Sequence, residues 1–388
     1  MKVIYIDPMS YNNLAIYDSC LLSNVNANIY FVGNELYDSK QIKSIEFYPF
    51  FNYSKKKGLN KVISYISSLI KIIGLVKSKN PNIIHIQWIR FWYADYILLR
   101  YLIKKKIKVV YTAHNILPHR RQRFDFIKYK KYYKLVDSII VHTENSKEIL
   151  ISNFKIEEYK INVIPHGILD LSTSINRDKV EILKNEIRHR YNLNKKIVFS
   201  SLGAQDLYKG TDFIFNVWNE AFSSNNNVFL FACGKLSDEI VEVAESTKIS
   251  NFNNTYTKFN RIENELFLAI LQLSDVVLLP YRKISQSGVL LSAINEQIPF
   301  IVSNAGGLSD ALSIGNVGWN IGYANRESLL TTLKYIINNS EEIKNKKENI
   351  TAWSKIHKYY SWEVIGQKTT DLYNRILYNC DKLVKKDI

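Results

Sequence analysis

The chain has 388 residues, 46% of them hydrophobic, too long for one ordinary core and rich enough in apolar side chains to build two domains of roughly 150 to 200 residues. Its net charge is +16, with 26 Lys and Arg against 12 Asp and Glu in residues 1–165 and 26 against 24 in the rest, so the first half is the part expected to meet an anionic partner. Cys20, Cys233 and Cys380 are odd in number and far apart, and no CxxC or His-x-x-x-His spacing occurs; this excludes a disulfide framework or an obvious metal site and suits a reducing cytoplasm.

The opening MKVIYID reaches Asp7 too soon for a signal peptide, and no run of roughly 18 uncharged apolar residues is found, so no membrane span is expected. Strand-length apolar runs follow at 2–7, 28–33, 83–88, 108–114, 138–144 and 161–167, with helical spacing at 60–78, 92–104 and 126–135. A polar, charged stretch from Asp170 to Lys196 separates a second series: strands at 197–203, 227–234, 275–281 and 299–304, and helices near 210–222, 236–246, 262–273 and 288–297. A last helix near 361–377 is expected to return to the first domain. Strand and helix in alternation predict an α/β fold of two doubly wound, Rossmann-like domains, 1–170 (joined by 361–388) and 190–358, facing across a cleft and binding ligands at the carboxyl ends of their strands.

Several positions carry chemistry. Between the strands at 275–281 and 299–304, the helix GVLLSAINEQ starts with Ser285, Gln286, Ser287 and Gly288 before or at its first turn, where free N–H groups and the nearby Arg282 and Lys283 suit a phosphate. Lys209, on the loop after the strand at 197–203, is placed to reach a pyrophosphate that Gly203 lets the backbone approach; the alternative is a solvated lysine at a helix start. His114 ends its strand and is able to hold a hydroxyl, or else is a loop histidine bonded to backbone. His142 reads as structural, and His166 precedes Gly167 at a domain boundary. There is no Asp-x-Asp clamp, no Walker loop and no Gly-x-Gly-x-x-Gly after a strand, so kinase and dehydrogenase chemistry have little support.

The order PYRKISQSG, helix, PFIVSNAGG resembles the donor-binding segment of bacterial GT-B glycosyltransferases of family 4. VIPHGI (163–168), SSLGAQDLYKG (200–210) and YSWEVIGQKTTDLYNRIL (360–377) are similar to that family's other segments in the expected order. The resemblance implies a nucleotide-diphosphate sugar donor bound by the second domain, an acceptor held by the first, retention at the anomeric carbon, and no metal or other cofactor. It places His114 beside the donor sugar, and Gly203, Lys209, Arg282, Ser285, Ser287, Gly288 and Ser292 at the donor. The family's two glutamates are replaced: Ser285 and Gln286 stand in the first region and Ser292 at the second, while Glu296 does not match. This reads as a Gln-Ser-Gly subtype with Gln286 in a catalytic position, or as an inactive homologue.

The segment HRRQRFDFIKYKKYYK (119–134) carries Arg120, Arg121, Arg123, Lys130 and Lys131 among aromatics. It is expected to bring a cytoplasmic enzyme to the inner membrane face and to a lipid-linked or oligosaccharide acceptor in surface polysaccharide synthesis; the alternative is that its aromatic stripe packs on the parent sheet. A sugar-nucleotide epimerase, a soluble-acceptor transferase and a basic nucleic-acid-binding protein are the rival readings, the last without any recognised nucleic-acid motif.

Overall fold

A computed structural model describes residues 1–11, 14–42, 45–118, 122–168 and 175–384, the side chains of Gln41 and of residues 379–384 excepted. The chain divides into two units, Met1–Gly167 with Tyr360 onward, and Ile168–Tyr359.

Unit 1 is built on seven strands: β1 (Lys2–Ile6), β2 (Asn28–Asn34), β3 (Glu46–Phe51), β4 (Ile83–Ile86), β5 (Lys108–Thr112), β6 (Ser138–Val141) and β7 (Ile161–Val163). They pair in parallel in the order β3-β2-β1-β4-β5-β6-β7. Nearly unbroken apolar strands follow from burial on both faces. Along β1, Ile4 and Ile6 enter a core formed with helices Gly58–Lys79, Trp92–Lys104 and Asp125–Leu135. Val3 and Tyr5 point to the other face, where helices Ala15–Asn24 and Trp362–Val384 close the second layer. Those two helices touch so closely that a Cβ on Gly366 would lie 2.3 Å from the carbonyl oxygen of Asn24.

Unit 2 has six parallel strands: β8 (Ile197–Leu202), β9 (Val228–Cys233), β10 (Thr255–Lys258), β11 (Val276–Leu279), β12 (Phe300–Val302) and β13 (Gly318–Asn320), in the order β10-β9-β8-β11-β12-β13. Each sheet therefore reverses its direction of growth once, between β1 and β4 and between β8 and β11. Outside the carboxyl ends of those strand pairs lies the crevice where such sheets bind ligands.

One element was not expected, and one expectation needs correction. The polar stretch from Asp170 to Lys196 contains a helix, Arg177–Tyr191, capped by Asn176 and lightly anchored by Val180 and Ile187. Gly58–Lys79 is long and apolar enough to cross a membrane by length and composition, contrary to the expectation of no such segment. Its Tyr65, Leu69, Ile72, Leu75 and Val76 are nevertheless buried within unit 1, so it is a core helix.

Candidate active site

In unit 2 the site grows from the loop after β8. Gly203 adopts φ 83° and Gly234, which follows β9, adopts φ 139°, conformations that side chains disfavour. A Cβ on Gly234 would sit 1.8 Å from the carbonyl oxygen of Gly203, so the two strand ends touch backbone to backbone. Gln205, fully buried, ties the loop together: its amide donates to the carbonyls of Ser201 and Gly203, both at 3.0 Å, and accepts from Ser201 Oγ at 3.0 Å. Asp206 then caps the short turn Leu207–Lys209.

Lys209 is thereby held with its ammonium over Gly203, 3.1 Å from where a Cβ would be, and 5.4 Å from the centre of the Tyr281 ring. Among the described residues no carboxylate pairs with it. Burial lowers its pKa, outweighing the opposing pull of Tyr208 and Asp206, the expected response of a cation removed from water with no directly paired carboxylate. The same hypothetical Cβ lies 3.6 Å from Val289, so the ammonium stands beside the first turn of helix Gly288–Asn295. An unpaired cation next to a helix N-terminus is a binding site for an anion.

The neighbouring residues divide. Gln286 has a buried Oε1 with no hydrogen-bond donor among the described residues, an acceptor left open beside the lysine loop. Ser287 is the N-cap, accepting from Leu290 N at 3.2 Å, so its oxygen serves the helix. Gly288 is exposed at the first helical position and Ser285 is half-buried. Ser292 opens the second turn of that helix and is buried, 4% exposed. Arg282 is a correction. Its guanidinium makes two bonds of 2.6 Å to Asp212, also donates to the carbonyl of Leu207, and lies 3.7 Å over the Phe213 ring. A charge neutralised by a bidentate carboxylate is spent on joining two loops and is not available to a diphosphate.

In unit 1 the carboxyl ends of β1, β4, β5, β6 and β7 bring together Asp7, Gln87, Trp88, His114, His142 and His166. Donor and acceptor roles follow from one fixed point. The carbonyl of Ile164 only accepts, so His142 donates its Nδ1–H across 2.9 Å. Burial, with help from His166, pushes the His142 pKa down to about 3, so the ring is neutral and its Nε2 accepts from His114 Nδ1–H at 3.1 Å. His114 is kept neutral by burial first and by the other histidines second, so its Nε2 carries a lone pair. Gln87 Oε1 stands 2.8 Å from that atom and Gln87 Nε2 2.9 Å from His85 Nε2; because His114 Nε2 carries a lone pair, both contacts become hydrogen bonds when the amide is turned end for end, Gln87 then donating to His114 and accepting from His85. His85 Nδ1 accepts from Tyr373 O–H at 2.6 Å. The bonds run one way from Tyr373 through His85, Gln87 and His114 to His142.

His114 also stacks on Trp88 at 4.5 Å and meets the edge of Tyr17 at 4.9 Å. Both of its nitrogens are engaged, a correction to the expected open ring: a hydroxyl reaches Nε2 only in place of the Gln87 amide. Sequence reasoning missed a carboxyl pair beneath this cluster. Asp7 and Asp18 are buried, and Asp18 Oδ2 meets no donor among the described residues, while Oδ1 accepts from Tyr5 O–H at 2.6 Å. Burial raises Asp7 to about 7 and Asp18 well above the ordinary range, the latter also by repulsion from Asp7, so both carboxyls are protonated below about pH 7, and above it the one proton left to the pair lies on the Asp18 side.

Residues 33–169 match the family model described as Glycosyltransferase Family 4. A 41.2 kDa protein of the cps region of Klebsiella pneumoniae is 27% identical over 277 residues, covering 67% of this chain and 71% of that protein. The crystal structure of a glycosyltransferase from Rickettsia africae superposes with a TM-score of 0.69 at 16% identity, covering 97% of this chain and 99% of that one. Anabaena HepE, in complex with UDP-glucose, gives 0.70 at 12% identity, covering 97% and 100%. The last two likenesses speak for the fold. Over residues 33–169 the chain is similar to family 4 glycosyltransferases.

The basic segment of unit 1 is described only in part, because His119, Arg120 and Arg121 lie outside the described residues. Helix Asp125–Leu135 turns Tyr132 and Tyr133 fully into the core, and Tyr133 O–H donates to the carbonyl of Ile116 at 2.7 Å. Tyr132 and Tyr133 thus pack on the parent sheet, whereas Phe124 and Phe126 remain 55% and 41% exposed. Arg123 and Lys131 remain exposed, Lys130 half-buried, and Lys131 sits 5.0 Å over Tyr96.

Proposed function

We propose that the enzyme transfers a hexose from a nucleoside-diphosphate sugar, bound by unit 2, to a lipid-linked glycan held by unit 1, on the way to a surface polysaccharide. The observation that carries this reading is Lys209, a cation with no carboxylate partner over the left-handed Gly203 and beside a helix N-terminus. A diphosphate leaving group gathers negative charge as the bond to the anomeric carbon breaks, and preorganised N–H groups with one ammonium stabilise that charge without a metal. The acceptor hydroxyl forms the new bond to the anomeric carbon; its proton passes to the departing phosphate in a retaining course, with Gln286 offering its amide to the sugar. Ser285 and the open Gly288 line the same turn, and the Gln-Ser-Gly sequence stands where relatives of this type place a carboxylate.

UDP-glucose in complex with HepE supports a nucleotide hexose as the first donor to try, and the relative from a cps region supports a polysaccharide acceptor. His114 takes a sugar hydroxyl at Nε2 once Gln87 gives way. Basic residues of unit 1, with Arg120, Arg121, Arg123, Lys130 and Lys131 among them, favour an anionic membrane on its cytoplasmic face, where a lipid-linked acceptor resides. Titration calorimetry with UDP-, GDP- and dTDP-glucose tests the donor half: one nucleotide sugar should bind wild type and lose roughly tenfold or more in affinity with Lys209→Ala. No binding of any of the three, or equal binding by the variant, removes the reading.

A further inference from the structure

Between Glu46 and Asp95 there is no acidic residue, while Lys55, Lys56, Lys57, Lys61, Lys71, Lys77, Lys79 and Arg90 fall in the same interval. Helix Gly58–Lys79 occupies the middle of it. With one face buried against the sheet, its outer face presents Leu59, Ile63, Ile66 and Ile70, respectively 73%, 55%, 44% and 64% exposed. Their spacing of four, three and four residues makes one stripe about 16 Å long. Beside it runs a groove of about 520 Å³, lined by Asn52, Lys56, Lys57, Asn60, Ser67 and Lys71 among others. Lys56 Nζ is held there, 3.4 Å from Asn52 Oδ1 and 3.3 Å from Ser64 Oγ. Among the described residues no carboxylate pairs with Lys56, Lys57, Lys61, Lys71 or Lys77, whereas Lys79 is occupied by Glu46 at 2.8 Å.

We infer that this face is the membrane-docking surface of unit 1, lying in the plane of an anionic bilayer. Four large aliphatic side chains in a row enter the boundary between headgroups and acyl chains, the lysines meet lipid phosphates on either side, and the groove receives a headgroup phosphate. The helix does not cross the bilayer, because its opposite face is part of the core. A second copy of the chain is a poor occupant: a symmetric contact would set an acid-free rim of lysines against itself. The stripe also differs from the basic segment named above, whose Tyr132 and Tyr133 are spent on the core. This inference deepens the lipid-acceptor reading, yet it stands on the surface alone.

Co-sedimentation of the full chain with phosphatidylcholine vesicles, with and without phosphatidylglycerol, tests it. Wild type should bind the mixed vesicles and not the neutral ones, with attachment fading as salt rises. Ile63→Ser with Ile66→Ser and Ile70→Ser, and separately Lys56→Glu with Lys57→Glu and Lys71→Glu, should each lower binding at least about tenfold. Lys56→Arg with Lys57→Arg and Lys71→Arg should retain it. All replaced side chains are outside the core, and an unchanged melting curve certifies folding. Equal binding to both vesicle types, wild-type binding by either variant, release by Arg123→Glu with Lys130→Glu and Lys131→Glu alone, or a dimer dispersed by Ile66→Ser overturns the inference. A thermal shift with UDP-glucose, run in parallel, reports on the donor reading separately: its absence in wild type counts against that reading and leaves the vesicle result to judge the surface.

Discussion

The two crevices at the strand ends solve opposite problems with the same topology. In unit 2 the loops after β8 and β9 are stripped of side chains at Gly203 and Gly234, and one ammonium is left without a carboxylate partner. In unit 1 the ends of β4, β5 and β6 deliver rings and an amide, and these satisfy one another in a chain of neutral hydrogen bonds from Tyr373 to Ile164. The first is an electrostatic site whose strength comes from what is missing. The second is a neutral, crowded site that a hydroxyl enters by exchange. The difference teaches that a doubly wound sheet fixes where a ligand goes, while the residues just past the strands fix its charge.

The comparison breaks most sharply at Gly234. Gly234→Ala puts a carbon 1.8 Å from the Gly203 carbonyl oxygen in a backbone conformation at φ 139°. The strained dihedral alone costs on the order of 1 to 3 kcal/mol, and the overlap forces the two strand ends apart. Unit 2 should melt many degrees lower while unit 1 keeps its own transition; calorimetry resolves the two, and an unchanged profile would show that the glycine contact is dispensable.

The unpaired cation comes next. Lys209→Ala should weaken nucleotide-sugar binding by about 1.5 to 3 kcal/mol, the worth of a charge-assisted contact to phosphate. Arg282→Ala, whose guanidinium belongs to Asp212, should change donor affinity less than about threefold while lowering stability. If the two variants lose affinity equally, Arg282 leaves Asp212 for the ligand and the contrast drawn between them fails. On the other unit, His114→Ala should cut turnover roughly tenfold and leave nucleotide affinity alone, as expected for a lost hydrogen bond to a hydroxyl. A folded variant with wild-type turnover returns His114 to a purely structural role.

Much of this was legible beforehand. Ten of the strands announce themselves as apolar runs because parallel strands are buried on both faces. The edge strands β3, β10 and β13 do not: Glu46–Phe51 is rich in half-exposed aromatics, and Thr255–Lys258 is mostly polar. Lys209 and the helix at Gly288 follow from local rules, a lysine on a glycine loop and a capped N-terminus. The corrections at Arg282 and His114 share one cause, since each turns on a partner distant in sequence: Asp212 for Arg282, and Gln87 with His142 for His114. The buried pair of Asp7 and Asp18 is invisible for the same reason, because only the fold brings helix Ala15–Asn24 against the end of β1.

That pair gives the finest test of the neutral crevice. Burial raises the Asp7 pKa from its ordinary 3.8 to about 7. The folded chain then holds a proton that the unfolded chain has released across that interval, so wild type loses stability as pH rises from about 4 to 7, and the loss is complete above 7. The amide introduced by Asp7→Asn cannot ionise, and its oxygen still accepts from Met9 N, as the Asp7 carboxylate does at 2.5 Å. The melting temperature of Asp7→Asn should therefore match wild type near pH 4, exceed it progressively toward pH 7 and run parallel above, at a slope below about 1.4 kcal/mol per pH unit because Asp18 shares the proton. The histidines give the opposite sign: His142 at about 3 and His166 at about 4 cost stability as pH falls below 6.5, in both proteins alike, and so cancel in the difference. A difference that is flat across pH 4 to 8 would mean that Asp7 is ionised and hydrated in the folded state, and the crevice of unit 1 would then be charged like its counterpart.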